Sequence, residues 1–215
     1  MDKMLPLLAI ETTGELCSVA LILEHNSVVD INYKQKHIHS KMLIEMIDTV
    51  MNSSGLQLKD LRAIAVSKGP GSFTGVRIGF SAVKGLAFGA GLPLIPVPTF
   101  DAFAYQIAGH LQSETKYIIA NIASVEKLYV SKHVAKEKSY ITLEKVNLIS
   151  KKDFSIYCDK IDLVFGSISE RPVYLNASSV GWWAYLFGKD LLTFDYDYLE
   201  PEYFGNPFLG NTHIV

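Results

Sequence analysis

Cysteine is nearly absent from this 215-residue chain: Cys17 and Cys158 stand far apart, with no CxxC spacing between or around them. That excludes a disulfide-stapled secreted scaffold and a thiolate zinc cluster, and it fits a reducing compartment, so the cytoplasm is the expected location. Long hydrophobic runs are missing as well. The start "MDKMLPLLAIETT" reaches Glu11 after a short apolar run, and "LAFGAGLPLIPVP" is broken by prolines. Neither matches an export signal or a membrane span. Charge of one sign is also lacking. Residues 1–115 hold 9 basic and 10 acidic side chains and residues 116–215 hold 11 and 12, so neither half carries the basic excess of a nucleic-acid-binding domain. The lysines between Lys127 and Lys152 are interleaved with strand residues and read as a solvated face. Asp190 to Glu202 forms an acidic tail.

What is present is an ordinary globular composition, 49% hydrophobic and 20% charged, in a chain long enough for a substantial core. Residues 5–10, 16–23 and 27–33 read as three short strands separated by turn formers, close enough in sequence for an antiparallel meander. Residues 39–52 then switch to helical spacing, with Ser40 as the expected N-cap and Gly55 just past the end. A strand "LRAIAVS", a helix over 74–89, a strand "LPLIPV" and a helix "TFDAFAYQIA" capped by Thr99 follow. The second half starts over with strands at 116–122, 127–134 and 140–149, then a strand "DLVFG" and a short helix "VGWWAYLFG". A three-strand meander followed by alternating units resembles the ribonuclease-H-like layout, and two such lobes in series resemble the actin-like ATPases. The expectation is an α/β chain with a first lobe over 1–105 and a shortened, divergent second lobe over 106–215.

An ATPase of that layout needs a glycine-rich turn from each lobe so that backbone amides can approach phosphate. The densest stretch is "KGPGSFTGVRIGF", residues 68–80. It is no Walker loop, since no Gly-Lys-Ser/Thr follows, and Thr74 stands where a dinucleotide fingerprint needs its third glycine. Turn chemistry favours a tight strand-to-helix passage, with Thr74 capping the helix and Gly75, Gly79, Gly85 and Gly89 allowing close packing. Nine of the fifteen glycines fall at or before Gly91, and the second half has no Gly-x-Gly to make a second phosphate turn. Glu11, Thr12, Gly71 and Thr74 are therefore read as a vestigial phosphate site at most, with Glu11 expected to be an exposed turn carboxylate. No HxxH, HExxH or CxxC points to a metal, and no G-x-S-x-G elbow makes Ser72 or Thr74 a nucleophile. No catalytic residue, metal or cofactor is expected.

On a helical wheel Met42, Leu43, Ile44, Met46, Ile47, Val50 and Met51 cover about 200°, where packing on a sheet needs little more than about 100°. The second helix, with Val76, Phe80 and Val83 among its apolar residues, has little polar face. The surplus predicts a partner interface through Met42, Leu43, Met46, Ile47, Val50, Val76, Phe80 and Val83.

The runs "LAIETTGELCSVAL", "HSKMLIEMI", "LRAIAVSKGPGSFTGVRIGFSAVKGLAFG" and "PLIPVPTFDAFA" resemble the TsaB (YeaZ) family, over most of residues 7–105. Gly69, Pro70, Gly71, Ser72, Phe73, Thr74, Gly75, Arg77 and Gly79 fall in family order without a gap. Glu11 replaces the usual aspartate, Glu45 a proline, and "LEPEYFG" keeps only Pro201 and Tyr203 of the family's ending. The resemblance implies a non-catalytic subunit that stabilises and activates TsaD, a homologous actin-like subunit. TsaD transfers threonylcarbamoyl to the adenosine beside the tRNA anticodon, and a small ATPase, TsaE, joins the pair. The surplus apolar helix surface leads us to expect a homodimer when that partner is absent, and contact with tRNA is expected only through the complex. The competing expectation is an independent enzyme of the same fold, either a weak ATPase or a glycoprotease-type peptidase.

Overall fold

The computed structural model describes residues 4–25, 27–35, 37–158 and 163–204. Three strands open the chain, β1 (Leu7–Glu11), β2 (Leu16–Glu24) and β3 (Ser27–Lys34), followed by α1 (His39–Ser54), β4 (Ala63–Ser67), α2 (Phe73–Ala90), β5 (Leu94–Val97) and α3 (Thr99–Ala108). The meander then returns as β6 (Lys116–Ile122), β7 (Lys127–Lys136) and β8 (Ser139–Ser150), with a single turn α4 (Phe154–Tyr157), β9 (Leu163–Phe165) and α5 (Ala177–Phe187). The predicted start of the ninth strand, Asp162, lies outside the described residues.

Two sheets result. The first has the order β3-β2-β1-β4-β5, antiparallel through the meander and parallel from β1 to β4 to β5. The second runs β8-β7-β6-β9, with β6 and β9 parallel. It repeats the first four strands of the first sheet in the same spatial order. The outer edge of β5 is met by Thr193 instead of a further strand.

Strand alternation divides the core. From β1, Leu8 and Ile10 point to one side and Leu7 and Ala9 to the other, as the period of two requires. The first side is covered by α1 and α2, with Leu43, Met46, Ile47 and Val50 at helical spacing inward. The second side is covered by α5, with α3 packed between α5 and the second sheet, and its core continues without a break into Tyr117, Ile119 and Tyr129 of that sheet. The far face of that sheet has its own small cluster of Ile118, Ala120, Leu128 and Val130, under Phe154 and Tyr157.

Three expected caps are replaced. Ile38 holds the N-cap position of α1 and gives no side-chain bond, so Ser40 lies inside the helix. Ser72, not Thr74, caps α2, its Oγ accepting from the Gly75 amide at 3.2 Å. Thr99 is the first residue of α3, and its hydroxyl accepts from the Gly69 amide at 2.9 Å, tying two loops together.

Candidate functional site

β1 and β4 are parallel neighbours, so the loops leaving their C-terminal ends emerge side by side. The loop after β1 carries Thr12, Thr13 and Gly14, and the loop after β4 carries Lys68 to Ser72 into α2. They interlock. The Ser72 amide donates to the Thr13 carbonyl at 2.7 Å, and the Thr12 hydroxyl donates to the Gly75 carbonyl at 2.8 Å. A Cβ on Gly71 would sit 2.6 Å from Thr13 O, and one on Gly75 or Gly79 would overlap Thr12. These glycines serve close approach between two loops, and the amides of Gly69, Ser72 and Gly75 are already bonded within the chain. Gly85 and Gly89 differ from expectation: nothing lies within 4 Å of a Cβ at either, so they face open space.

Glu11 also departs from expectation. It is buried, at 1% exposure, where an exposed turn carboxylate was anticipated. The cause is register, because Glu11 is the last residue of a fully buried central strand. Its Oε1 accepts from the Thr13 hydroxyl at 2.6 Å and the Thr13 amide at 2.5 Å. Burial pushes the carboxyl above its ordinary range, while Ser67, Thr13 and the Gly14 amide pull it back. Glu11 Oε2 and Ser67 Oγ have no hydrogen-bond partner among the described residues. Burial, helped by the charge of Glu11, holds the neighbouring Cys17 thiol up at about 11, far from a reactive thiolate.

These loops form one wall of a cleft of about 1180 Å³. Glu11, Gly71 and Thr74 line it from the first sheet, Asn121 and Tyr129 from the second, and Tyr203 from the tail. Its rim carries Lys34, whose Nζ donates to the Tyr174 hydroxyl at 2.6 Å and lies 4.1 Å from that ring. Thus Glu11, Gly71 and Thr74 of the anticipated phosphate site do meet on one surface, while Thr12 is consumed beneath it by α2. Among the described residues no group of three His, Cys, Asp or Glu side chains could hold a metal ion. No helix there is long and apolar enough to cross a membrane.

A second surface lies on the outer side of α1 and α2. Leu43, Met46, Ile47, Val50, Val76, Phe80 and Val83 are all buried, and Met42 is partly buried against the same cluster. The wide apolar arc of α1 is taken up by β2, β3 and α2 together. The large apolar side chains these helices expose are Ile44 at 52%, Phe73 at 50% and Phe88 at 78%, and Leu58, Gly85, Leu86, Gly89 and Ala90 line a shallow groove along α2. Sequence periodicity found the apolar helices but could not divide their residues between neighbour and solvent. The tail was missed as part of the cleft; its retained Pro201 and Tyr203 were the available signal.

The family model described as "TsaD: tRNA N6-adenosine threonylcarbamoyltransferase" matches residues 30–150, which include strands of both sheets. A Haemophilus influenzae protein named tRNA threonylcarbamoyladenosine biosynthesis protein TsaB is 42% identical over 134 residues, covering 62% of this chain and 56% of that one. The matched region therefore spans little more than half of that relative's length. The protein of the same name from Buchnera aphidicola subsp. Baizongia pistaciae is 31% identical over 159 residues, 68% of this chain and 72% of its own. A solved structure, YeaZ from Pseudomonas aeruginosa, superposes with a TM-score of 0.75 at 24% identity over 92% of this chain and 99% of that one, which shows the shared two-sheet α/β fold. On these sequence matches the chain belongs to the TsaB family of tRNA threonylcarbamoyladenosine biosynthesis proteins.

Proposed function

We propose that this chain is a non-catalytic subunit that binds and activates a TsaD-type threonylcarbamoyl transferase acting on the adenosine beside the tRNA anticodon. The observation that carries the reading is the outer face of α2, where Gly85 and Gly89 have nothing within 4 Å and Phe88 is 78% exposed. A helix with small residues on an open face lets a second helix approach closely, and the exposed aromatic supplies the apolar anchor. In this reading Met42 and Ile44 of α1 continue the contact, while Leu43, Met46, Ile47, Val50, Val76, Phe80 and Val83 hold the docking helices in place from behind. Two further features support a subunit without chemistry of its own: a buried Glu11, and turn amides at Gly69, Ser72 and Gly75 already bonded inside the chain.

The same reading places a TsaE-type ATPase in the assembly, tRNA in contact only through the complex, and a cytoplasmic site of action. In the partner's absence the open α2 face would pair with a second copy. The division into lobes at residues 1–105 and 106–215 is likewise proposed. The test is association of the purified chain with a TsaD-type subunit, measured by calorimetry. Phe88→Glu and Gly89→Leu should weaken it at least tenfold with the fold intact; unchanged affinity would remove α2 from the interface. ATP or peptide turnover by the chain alone, lost in Glu11→Gln, would favour an independent enzyme.

A further inference from the structure

Residues 202–204 run back across the start of α2 and make a set of contacts different in kind from the core. The Glu202 amide donates to the Lys68 carbonyl at 2.7 Å, and its carboxylate pairs with Lys68 Nζ at 3.2 Å. The Glu202 carbonyl lies against Gly69, where a Cβ would come within 2.5 Å of it and where φ is +107°. Arg77 Nε donates to the Tyr203 hydroxyl at 3.1 Å, while the guanidinium sits 3.8 Å from the Phe73 ring and Phe73 packs on Tyr203 with centroids 5.1 Å apart. Phe204 then crosses to the second sheet and meets the Tyr129 ring edge-on at 6.1 Å.

We infer that the turn before α2, with Lys68, Gly69, Phe73 and Arg77, is a docking surface for an acidic–aromatic peptide, occupied in cis by this chain's own Glu202–Phe204. The match is specific in sign and shape: a lysine for the carboxylate, a glycine where the backbone passes, and a stacked Arg–Phe pair for the tyrosine. Because Tyr203 and Phe204 also line the cleft, the docked tail walls off one side of it. The ion pair is part-exposed, the Arg77 bond is solvent-exposed, and both are individually weak; among the described residues one backbone hydrogen bond anchors the segment. Tethering, more than intrinsic affinity, keeps the peptide in place, so the contact is reversible and can be displaced by a competing segment of the same chemistry.

The test uses the full chain with Cys158→Ser and a cysteine at Ala123, which lines the cleft. Glu202→Ala/Tyr203→Ala/Phe204→Ala should raise the maleimide labelling rate of Cys at 123 at least threefold, with the circular dichroism spectrum unchanged. Arg77→Ala should raise it in the same direction. Tyr198→Ala, at an exposed tail position outside the contact, should leave it alone. A synthetic peptide of residues 197–204 at millimolar concentration should restore slow labelling to the triple variant, and a scrambled peptide should not. Labelling that stays slow in the folded triple variant, or that neither Arg77→Ala nor the added peptide alters, would overturn the inference.

Discussion

The Thr12 hydroxyl donates to the carbonyl oxygen of Gly75 across 63 residues of sequence, fixing the end of β1 onto the first turn of α2. That bond exists only because Gly75 and Gly79 leave room for Thr12.

The glycines of α2 should therefore respond in opposite directions to the same substitution. Gly79→Ala places a methyl on Thr12 Oγ1 and should cost about 1–3 kcal/mol. Gly85→Ala meets nothing and should gain about 0.5–1 kcal/mol from helix propensity. Urea unfolding of the two variants separates them, and equal signs would contradict the packing described.

Charging the outer and inner faces of α1 should likewise have different outcomes. Ile44→Glu leaves a folded chain with weaker partner binding, because Ile44 is half exposed. Ile47→Glu buries an unpaired charge at a site 2% exposed and should cost about 3 kcal/mol or more, enough to unfold a marginal domain. Thermal denaturation read beside binding distinguishes these effects.

His133 sets an acid limit on stability. It is buried between Tyr117 and Tyr140, with Ser131 Oγ 2.7 Å from Nε2. Desolvation lowers its pKa to about 4. With an unfolded value near 6.5, only the unfolded chain takes up a proton between those limits. Stability from this group is complete above pH ~6.5 and declines as pH falls toward about 4, by about 3 kcal/mol. His133→Gln should remove that part of the slope in urea titrations at stepped pH.

Glu11 acts in the other sense. Its folded pKa is raised, so its contribution is complete below the unfolded carboxylate value and is lost as pH rises through the folded one. Glu11→Gln keeps an acceptor for Thr13 without the desolvated charge. It should raise the melting temperature at pH 8 more than at pH 4.5; a uniform shift would mean that charge is not the cause.

Tyr140 joins three elements, accepting from Trp183 Nε1 at 2.9 Å and donating to Asp101 at 3.1 Å. Tyr140→Phe strands both partners and should cost about 1–3 kcal/mol, read by chemical denaturation.

The alternation and spacing of apolar residues made most elements of both sheets legible, and the close packing expected of the glycine-rich stretch holds at Gly75 and Gly79 but not at Gly85 and Gly89. Local chemistry failed where a tertiary partner intervened. Thr99 looks like a cap but bonds Gly69, and Glu11 looks like a turn residue but ends a central strand. The arc of α1 looks surplus until α2 is laid beside it. The tail on Lys68 and Arg77 is a contact between residues more than a hundred apart, and no local pattern encodes such a pairing.

Helix α5 covers β1, β2, β4 and β5 yet begins 80 residues after β5 ends. During synthesis the first sheet is made with that side bare, and it stays bare until residue 187 leaves the ribosome. Until that late helix arrives the early sheet presents apolar surface, which makes a truncated or stalled nascent chain a natural client for chaperones.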